Sequence, residues 1–260
     1  MKEYSIYQFP DIFRAVHMER PGEIAEEVRF LKEVWAHHLG RPVRRVLDVA
    51  CGNSPHGQLL AAEGIAVAGI DRSAVMIAAG RREARGLHNL TFYRRQIERF
   101  SLPQGGFDAA FFMSETFPVM VGNEEVISHL RCVARVLRKG GLYCVDIDKH
   151  DGLEGPRRRR LWRRRKVRHG RAQVDVREFL RPIAWHASAW IYELECTIHF
   201  PDRTVLTRDL VPVRYTVPKL LEFAARAAGV FRQIACYADL SFDTPLDQCD
   251  RRWWAILRRL

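Results

Sequence analysis

A short apolar run, Val46-Leu47-Asp48-Val49-Ala50, breaks off at Cys51-Gly52, and a helical pattern follows at once. A run of that length, closed by small residues, reads as a parallel strand buried on both faces and leading into a tight turn. The same grammar repeats downstream. Ile65 to Ile70 forms a second such strand and ends at Asp71, Leu90 to Tyr93 is short, and Asp108 to Met113 is apolar almost throughout. Helical stretches separate them. Gln58 to Ala62 is stopped by Gly64, and Ala74 to Arg85 has Ser73 as its cap and Gly86 as its stop. From about Asn123 to Arg138, Val126, Leu130, Val133 and Leu137 share one face, and Gly140-Gly141 then opens a strand over Leu142 to Ile147. An earlier helix starts at Glu23, aligns Ile24, Val28, Leu31 and Trp35, and closes at Gly40 and Pro42. Strands alternating with helices imply an α/β fold, a parallel sheet with right-handed crossovers.

From His150 the pattern changes. Gln173 to Val176, Trp190 to Phe200 and Thr204 to Val213 read as antiparallel β pieces. Helical periodicity returns at Thr216, which can cap Leu220 to Ala228, with Gly229 as the stop; strands over Phe231 to Tyr237 and Trp253 to Leu257 complete the chain. The expected division is a core with N-terminal helices over 1–149, a β-rich insert over 150–215, and a helix and strand pair over 216–260 that completes the core. A chain of 260 residues suits one large domain with a small insert.

The net charge of +11 suggests a nucleic-acid partner until it is located. Ten Lys or Arg residues and no acid lie between Arg157 and Arg171, leaving 32 basic against 31 acidic residues elsewhere. The basicity is one local segment. It reads as a solvated edge strand or loop guarded by charge, as a docking site for RNA phosphates, or as a contact for an anionic small molecule or protein. Nucleic-acid modules interleave such charge with aromatic platforms, and this segment offers only Trp162. The six cysteines show no C-x-x-C pair, and Cys132, Cys144, Cys196 and Cys236 sit in apolar segments as small buried hydrophobes. Neither a metal site nor a disulfide framework is expected. No apolar run approaches the roughly 18 residues of a membrane span, and Met1 to Asp11 lacks the apolar core of a secretory signal. A cytoplasmic location is the expectation.

The segment V-L-D-V-A-C-G over 46–52 resembles the first glycine-containing motif of class I S-adenosylmethionine-dependent methyltransferases, and G-I-D-R-S-A-V-M over 69–76 resembles their second. The residue types fit the chemistry. Small residues at a strand end let backbone N–H groups approach a ligand. An acid at the end of the next strand, here Asp71 at 23 residues beyond Asp48, can accept hydrogen bonds from both ribose hydroxyls. The resemblance covers about 40–148 well and 215–260 more loosely. It implies a Rossmann-like, mostly parallel seven-stranded sheet with helices on both faces and a small antiparallel insert. It also implies S-adenosyl-L-methionine as cofactor, with Asp48 near its amino group and Ala50, Cys51, Gly52 and His56 along its methionine part. Asp71 would lie at the ribose and Met76 and Gln96 at the adenine, with Arg72, Ile97 and Met113 also among the cofactor contacts. Two positions depart from the family: it commonly has glycine at Ser54 and aspartate at Gln96, whose amide oxygen can accept the adenine bond but carries no charge. A dinucleotide-binding domain fits poorly, because the loop reads G-N-S-P-H-G and Pro55 lacks an N–H for a pyrophosphate. His56 matches a histidine of some small-molecule members, and equally can cap its helix.

Methyl transfer from a sulfonium needs donor and acceptor held close and in line, so the absence of a triad or metal cluster does not argue against catalysis. The family's acceptor site lies at the end of the fourth strand. That points to Ser114 and Phe117 as substrate contacts and to Glu115 as the carboxylate able to hold an amine or take a proton. The M-S-E-T-F there differs from the N/D-P-P-Y type of enzymes that methylate bases or glutamine. Tyr7, with Tyr4, Phe9 and Phe13, reads either as an aromatic lid over the cofactor or as core packing. The insert, R-Y-T-V-P-K-L-L and the final W-W-A-I-L resemble a small-molecule subgroup that includes amino-sugar N-methyltransferases. In that subgroup the insert covers the acceptor or makes a dimer contact. The expected function is methyl transfer to nitrogen or oxygen of a small molecule by a monomer or homodimer. The alternatives are an RNA methyltransferase docking through 157–171 and a non-catalytic binding protein of the same fold.

Overall fold

The computed structural model describes residues 4–17, 22–114, 116–149, 156–183 and 189–260. The chain divides into two units, Met1–Pro21 with His150–Tyr215, and Gly22–Lys149 with Thr216–Leu260. Helix α1 spans Pro10–His17 and α2 Glu23–Leu39; β1 (Arg45–Val49), α3 (Pro55–Ala62), β2 (Ala66–Asp71), α4 (Ala74–Glu83) and β3 (Leu90–Arg94) follow. Next come β4 (Phe107–Phe112), α5 (Asn123–Val136) and β5 (Leu137–Asp148), then four strands, β6 (Arg160–His169), β7 (Ala172–Pro182), β8 (Ala189–His199) and β9 (Thr204–Arg214). Helix α6 (Pro218–Ala228), β10 (Phe231–Ala238) and β11 (Arg252–Arg259) end the chain.

The larger unit is a seven-stranded sheet in the order β10-β11-β5-β4-β1-β2-β3. Neighbours from β5 to β3 run parallel, while β11 is antiparallel to both β5 and β10. All six residues of β4 are buried, as expected for a central strand covered on both faces. Successive strand residues face opposite layers. Val46, Phe111, Cys144 and Trp254 pack under α2 and α3 with Phe30, Leu31, Trp35 and Leu60. Leu47, Phe112, Val145 and Leu257 pack under α5 and α6 with Leu130, Val133, Leu221 and Ala225. Strand β1 continues through β2 in one direction across the sheet, and β4 through β5 in the other. That reversal lies between β1 and β4, and α/β sheets bind ligands at the carboxyl ends of the strands flanking such a reversal.

The boundary between α5 and β5 shifts from expectation. Helix α5 ends at Val136 and β5 starts at Leu137, opposite Phe107, with a register shift before Leu142 meets Ala109. At Gly141 a Cβ would lie 2.9 Å from the Arg138 carbonyl oxygen and 3.1 Å from that of Asp108, so the glycine pair serves a close strand approach and not a helix stop.

The smaller unit is a four-stranded antiparallel sheet in the order β6-β7-β8-β9. Val174, Val176, Leu194, Cys196 and Ile198 form its apolar face and bury Ile6, Ile12 and Val16. The sequence division placed residues 1–21 with the core, whereas the structure groups them with 150–215. The cause is pairing across 204 residues of chain: the Ser5 hydroxyl donates to Asp209 at 2.6 Å. The Arg208 N–H also donates to the Tyr4 carbonyl at 2.9 Å. Strand β6 carries most of the basic segment at the sheet's edge, and its residues are largely exposed. Arg159 meets Glu193 at 2.8 Å, Arg165 meets Glu178 at 2.6 Å and Lys166 meets Asp175 at 3.6 Å. The segment is thus mainly a charge-guarded edge strand. All six cysteines are free, and among the described residues no helix is long and apolar enough to cross a membrane.

Candidate active site

Beyond Val49 the chain turns back on itself through three residues with positive φ: Ala50 at 52°, Gly52 at 54° and Ser54 at 58°. Glycine adopts this conformation freely, but alanine and serine each bear a cost of about 1–2 kcal/mol. The loop must therefore be held from outside, and each of its residues 51–54 is tied by a hydrogen bond. The Cys51 N–H donates to the Ile70 carbonyl at 2.9 Å, and the Gly52 N–H to the Asp71 carboxylate at 2.9 Å. The Asn53 amide reaches both oxygens of Glu83 at 2.9 and 3.1 Å, and the Ser54 hydroxyl donates to Asp48 at 2.6 Å.

The last bond explains the departure from glycine at position 54. The hydroxyl finds a buried carboxylate to offset the backbone strain, and Gly57 makes the room. A Cβ at Gly57 would lie 2.1 Å from the Ser54 oxygen and 3.3 Å from Asp48. Gly57→Ala is therefore expected to lower stability by about 1–3 kcal/mol, as overpacking does. Adding Ser54→Gly should restore most of the loss in urea denaturation. A fully stable single variant would contradict this arrangement.

Asp71 ends β2 and is the hub of the loop. Its second oxygen takes the Ser73 N–H at 2.7 Å. Burial raises its pKa, and the Ser73 and Gly52 N–H groups oppose that rise. Each carboxylate oxygen offers more than one lone pair, so acceptor capacity remains. A Cβ at Gly52 would meet no atom within 4 Å, so this backbone faces open space. Asp48 is buried, and burial outweighs His56 and the Ser54 bond to push its pKa up to about 7. Burial also raises the Cys51 thiol well above its ordinary value, and its side chain packs in the layer under α2 and α3.

His56 does not cap its helix. Its Nε2 lies 2.5 Å from a Glu27 carboxylate oxygen, and both side chains are buried. Burial lowers the His56 pKa, but the Glu27 bond and charge outweigh it and the net shift is upward. The other Glu27 oxygen meets Arg252 at 2.6 Å, and Arg252 also pairs with Asp146 at 3.0 Å and Glu23 at 3.1 Å. Arg251 joins at Glu23, 3.2 Å away. Sequence reasoning passed over this network. One signal was available: Glu27 sits four residues before Leu31, on the buried stripe of α2.

The other expected residues follow the strand ends. Arg72 is exposed, and its carbonyl accepts from Arg94 at 3.1 Å. Met76 is buried in the first turn of α4, where its N–H donates to the Ser73 hydroxyl at 3.3 Å. Gln96 is exposed, and its amide oxygen accepts from Arg99 at 3.1 Å. Ile97 is half-buried, and its carbonyl is 2.8 Å from Nδ1 of His129, whose Nε2 is 2.7 Å from the Tyr143 hydroxyl. Burial pulls His129 down to about 4. The ring is thus neutral near pH 7, donating from Nδ1 and accepting from Tyr143. Met113 is buried just beyond β4, and the exposed Ser114 after it has φ of 60°. Glu115 lies outside the described residues. Phe117 is 1% exposed, with Phe112 and His129 at 5.8 and 5.9 Å, so its ring belongs to the core and does not present to a substrate. Tyr7 belongs to the smaller unit, its ring 4.7 Å from that of Phe13. Within the larger unit the structure thus joins Asp48, Ala50, Cys51, Gly52, His56 and Asp71, and packs Phe117 with Phe112 and His129.

Residues 46–141 match the family model of a methyltransferase domain. Glycine N-methyltransferase of Oryctolagus cuniculus is 32% identical, over 42% of this chain and 42% of its own length. The chain thus spans about two fifths of the curated relatives it matches. Among solved structures, the CcbJ methyltransferase of Streptomyces caelestis superposes with a TM-score of 0.76 at 17% identity, covering 98% of both chains. Streptomyces venezuelae DesVI gives 0.75 at 19% identity, covering 94% of this chain and 96% of its own. The sugar N-methyltransferase KedS8 of a Streptoalloteichus species gives 0.72 at 19%, covering 91% and 89%. Residues 46–141 thus resemble a methyltransferase domain, and the chain shares the fold of S-adenosylmethionine-dependent methyltransferases of known structure.

Proposed function

We propose that this protein transfers a methyl group from S-adenosyl-L-methionine to a nitrogen or oxygen of a small-molecule acceptor, acting as a monomer or homodimer. One observation carries the reading: the Asp71 carboxylate at the end of β2 holds the Gly52 N–H of the loop after β1 at 2.9 Å. A ribose acceptor and a backbone able to approach a ligand are thus locked together at the reversal of strand order. The residues fit the cofactor. Asp71 has acceptor capacity for a diol, Gly52 faces open space, and the Ile97 backbone beyond β3 is fixed by His129. When bound, the cofactor supplies an electrophilic methyl group on a sulfonium. The chain supplies orientation, and Ser114 and Glu115, just past β4, are the groups assigned to the acceptor. The sugar N-methyltransferase among the structural neighbours supports an amine or hydroxyl on a small polar molecule. Six free cysteines suit a reducing compartment such as the cytoplasm.

Calorimetry with S-adenosylmethionine and S-adenosylhomocysteine tests the cofactor, and radiolabelled methyl transfer to a panel of amino sugars and small hydroxylated amines tests the acceptor. Saturable binding of both cofactor forms is expected. Absence of heat and of thermal stabilisation overturns the enzyme reading and leaves a binding protein of the same fold. Methylation of RNA but of no small molecule overturns the acceptor class.

A further inference from the structure

The loop after β1 is attached on two sides. Toward β2 and α4, its bonds run to Ile70, Asp71 and Glu83. In the other direction, past β4, the attachment is a chain of charges. It runs from His56 in the first turn of α3 to Glu27 on α2, then through Arg252 at the start of β11 to Asp146 on β5. Four elements meet there, and His56, Glu27, Arg252, Asp146 and Glu23 are all buried.

Charge balance says what state this cluster is in. Glu23, Glu27 and Asp146 contribute three negative charges, and Arg251 and Arg252 two positive ones. A buried cluster with a net charge bears a heavy desolvation cost. A proton on His56 offsets the excess negative charge of these groups and of the neighbouring Asp48, and Nε2 at 2.5 Å from a carboxylate oxygen is the geometry of a charge-assisted bond. Around the ring stand Glu27 from α2, Asp48 from β1 and Asp146 from β5, with Arg252 of β11 beyond Glu27.

Resting on the methyltransferase reading, we infer that Glu27 and Arg252 are positioning residues: through a protonated His56 they fix α3 and the Cys51–Ser54 loop in the pose that receives the cofactor. Neither residue needs to touch the ligand. The loop holds two strained non-glycine residues, Ala50 and Ser54, so a loosened α3 lets it relax and lowers the fraction of molecules able to bind. The ion pairs on the α2 side therefore set affinity as well as stability.

The test compares wild type, Glu27→Gln and His56→Gln by calorimetric titration with S-adenosylhomocysteine from pH 6 to 9, alongside the NMR titration of the His56 ring. Glu27→Gln is expected to weaken product binding about three- to thirtyfold at pH 8. It should also move the pH dependence of binding and the His56 titration together to lower pH, because burial then acts on the ring without the carboxylate to oppose it. His56→Gln keeps an amide donor for Glu27 and loses the ring's proton, so the step in affinity that follows the His56 titration should vanish, leaving only that of Asp48, whose pKa lies at about 7. It also serves as the folded comparison if Glu27→Gln proves unstable. A dissociation constant and pH profile unchanged in Glu27→Gln, or a pH dependence unchanged in His56→Gln, overturns the inference and leaves the network a purely structural tie. Failure of wild type to bind at any pH removes the methyltransferase reading itself, a separate outcome.

Discussion

Replacing Asp71 with alanine is expected to weaken S-adenosylhomocysteine binding at least tenfold. A carboxylate that accepts two ribose hydroxyls makes charge-assisted bonds of about 1.5–3 kcal/mol each, and both are lost. The loop suffers as well, since the Gly52 N–H that Asp71 accepts at 2.9 Å loses its partner. Asp71→Asn keeps one carbonyl oxygen without charge and should fall between wild type and alanine. Calorimetric titration reads both effects, and thermal melts of the ligand-free proteins report any loss of fold. A dissociation constant unchanged by Asp71→Ala defeats the ribose assignment.

Arg252→Ala should be the most destabilising single change in the larger unit. Arg252 meets Glu23, Glu27 and Asp146 within 3.1 Å, and every one of these side chains is buried. Removing one partner of a buried pair typically costs about 3–5 kcal/mol, because the opposite charge is left without compensation. The pH dependence follows from the direction of the shifts. Burial acts to raise the Glu27 pKa, but His56 and Arg252 together hold it below its ordinary value. Its pairing therefore stabilises the fold above the unfolded-state pKa and is lost as pH falls through the lower folded value. Without Arg252 the carboxylates take up protons more readily in the folded state, so the deficit should shrink as the medium is acidified from pH 7.5 toward 5. Urea denaturation at both values measures this. A deficit below about 1 kcal/mol, or one that grows on acidification, contradicts the assigned network.

The parallel core was legible because its strands are short apolar runs closed by Gly, Asp or Ser, and chemistry sits where those runs stop. Cys51-Gly52 and Asp71 stand out through their residue types, their spacing and the family resemblance they carry. The groups that hold them do not. Glu23 and Arg252 are 229 residues apart, and no local pattern announces their pairing. Strand β6 stayed undecided between edge strand and loop for a different reason: with nearly every side chain charged and exposed, it lacks the alternation by which a half-buried strand is recognised. Phe117 lay close in sequence to the expected acceptor groups, yet its backbone turns inward and its ring fills the space between Phe112 and His129. Ser54 was readable as a departure from glycine. Only the position of Gly57 and Asp48 shows that the serine is accommodated.

Strand β11 lies between β5 and β10 although it is last in the chain, and its first residue is Arg252. Pairing Arg252 with Asp148 closes about a hundred residues of intervening polypeptide. Such a non-local contact is entropically costly before it is rewarded, so the junction of β5, β11 and β10 is expected to form late in folding and to limit its rate.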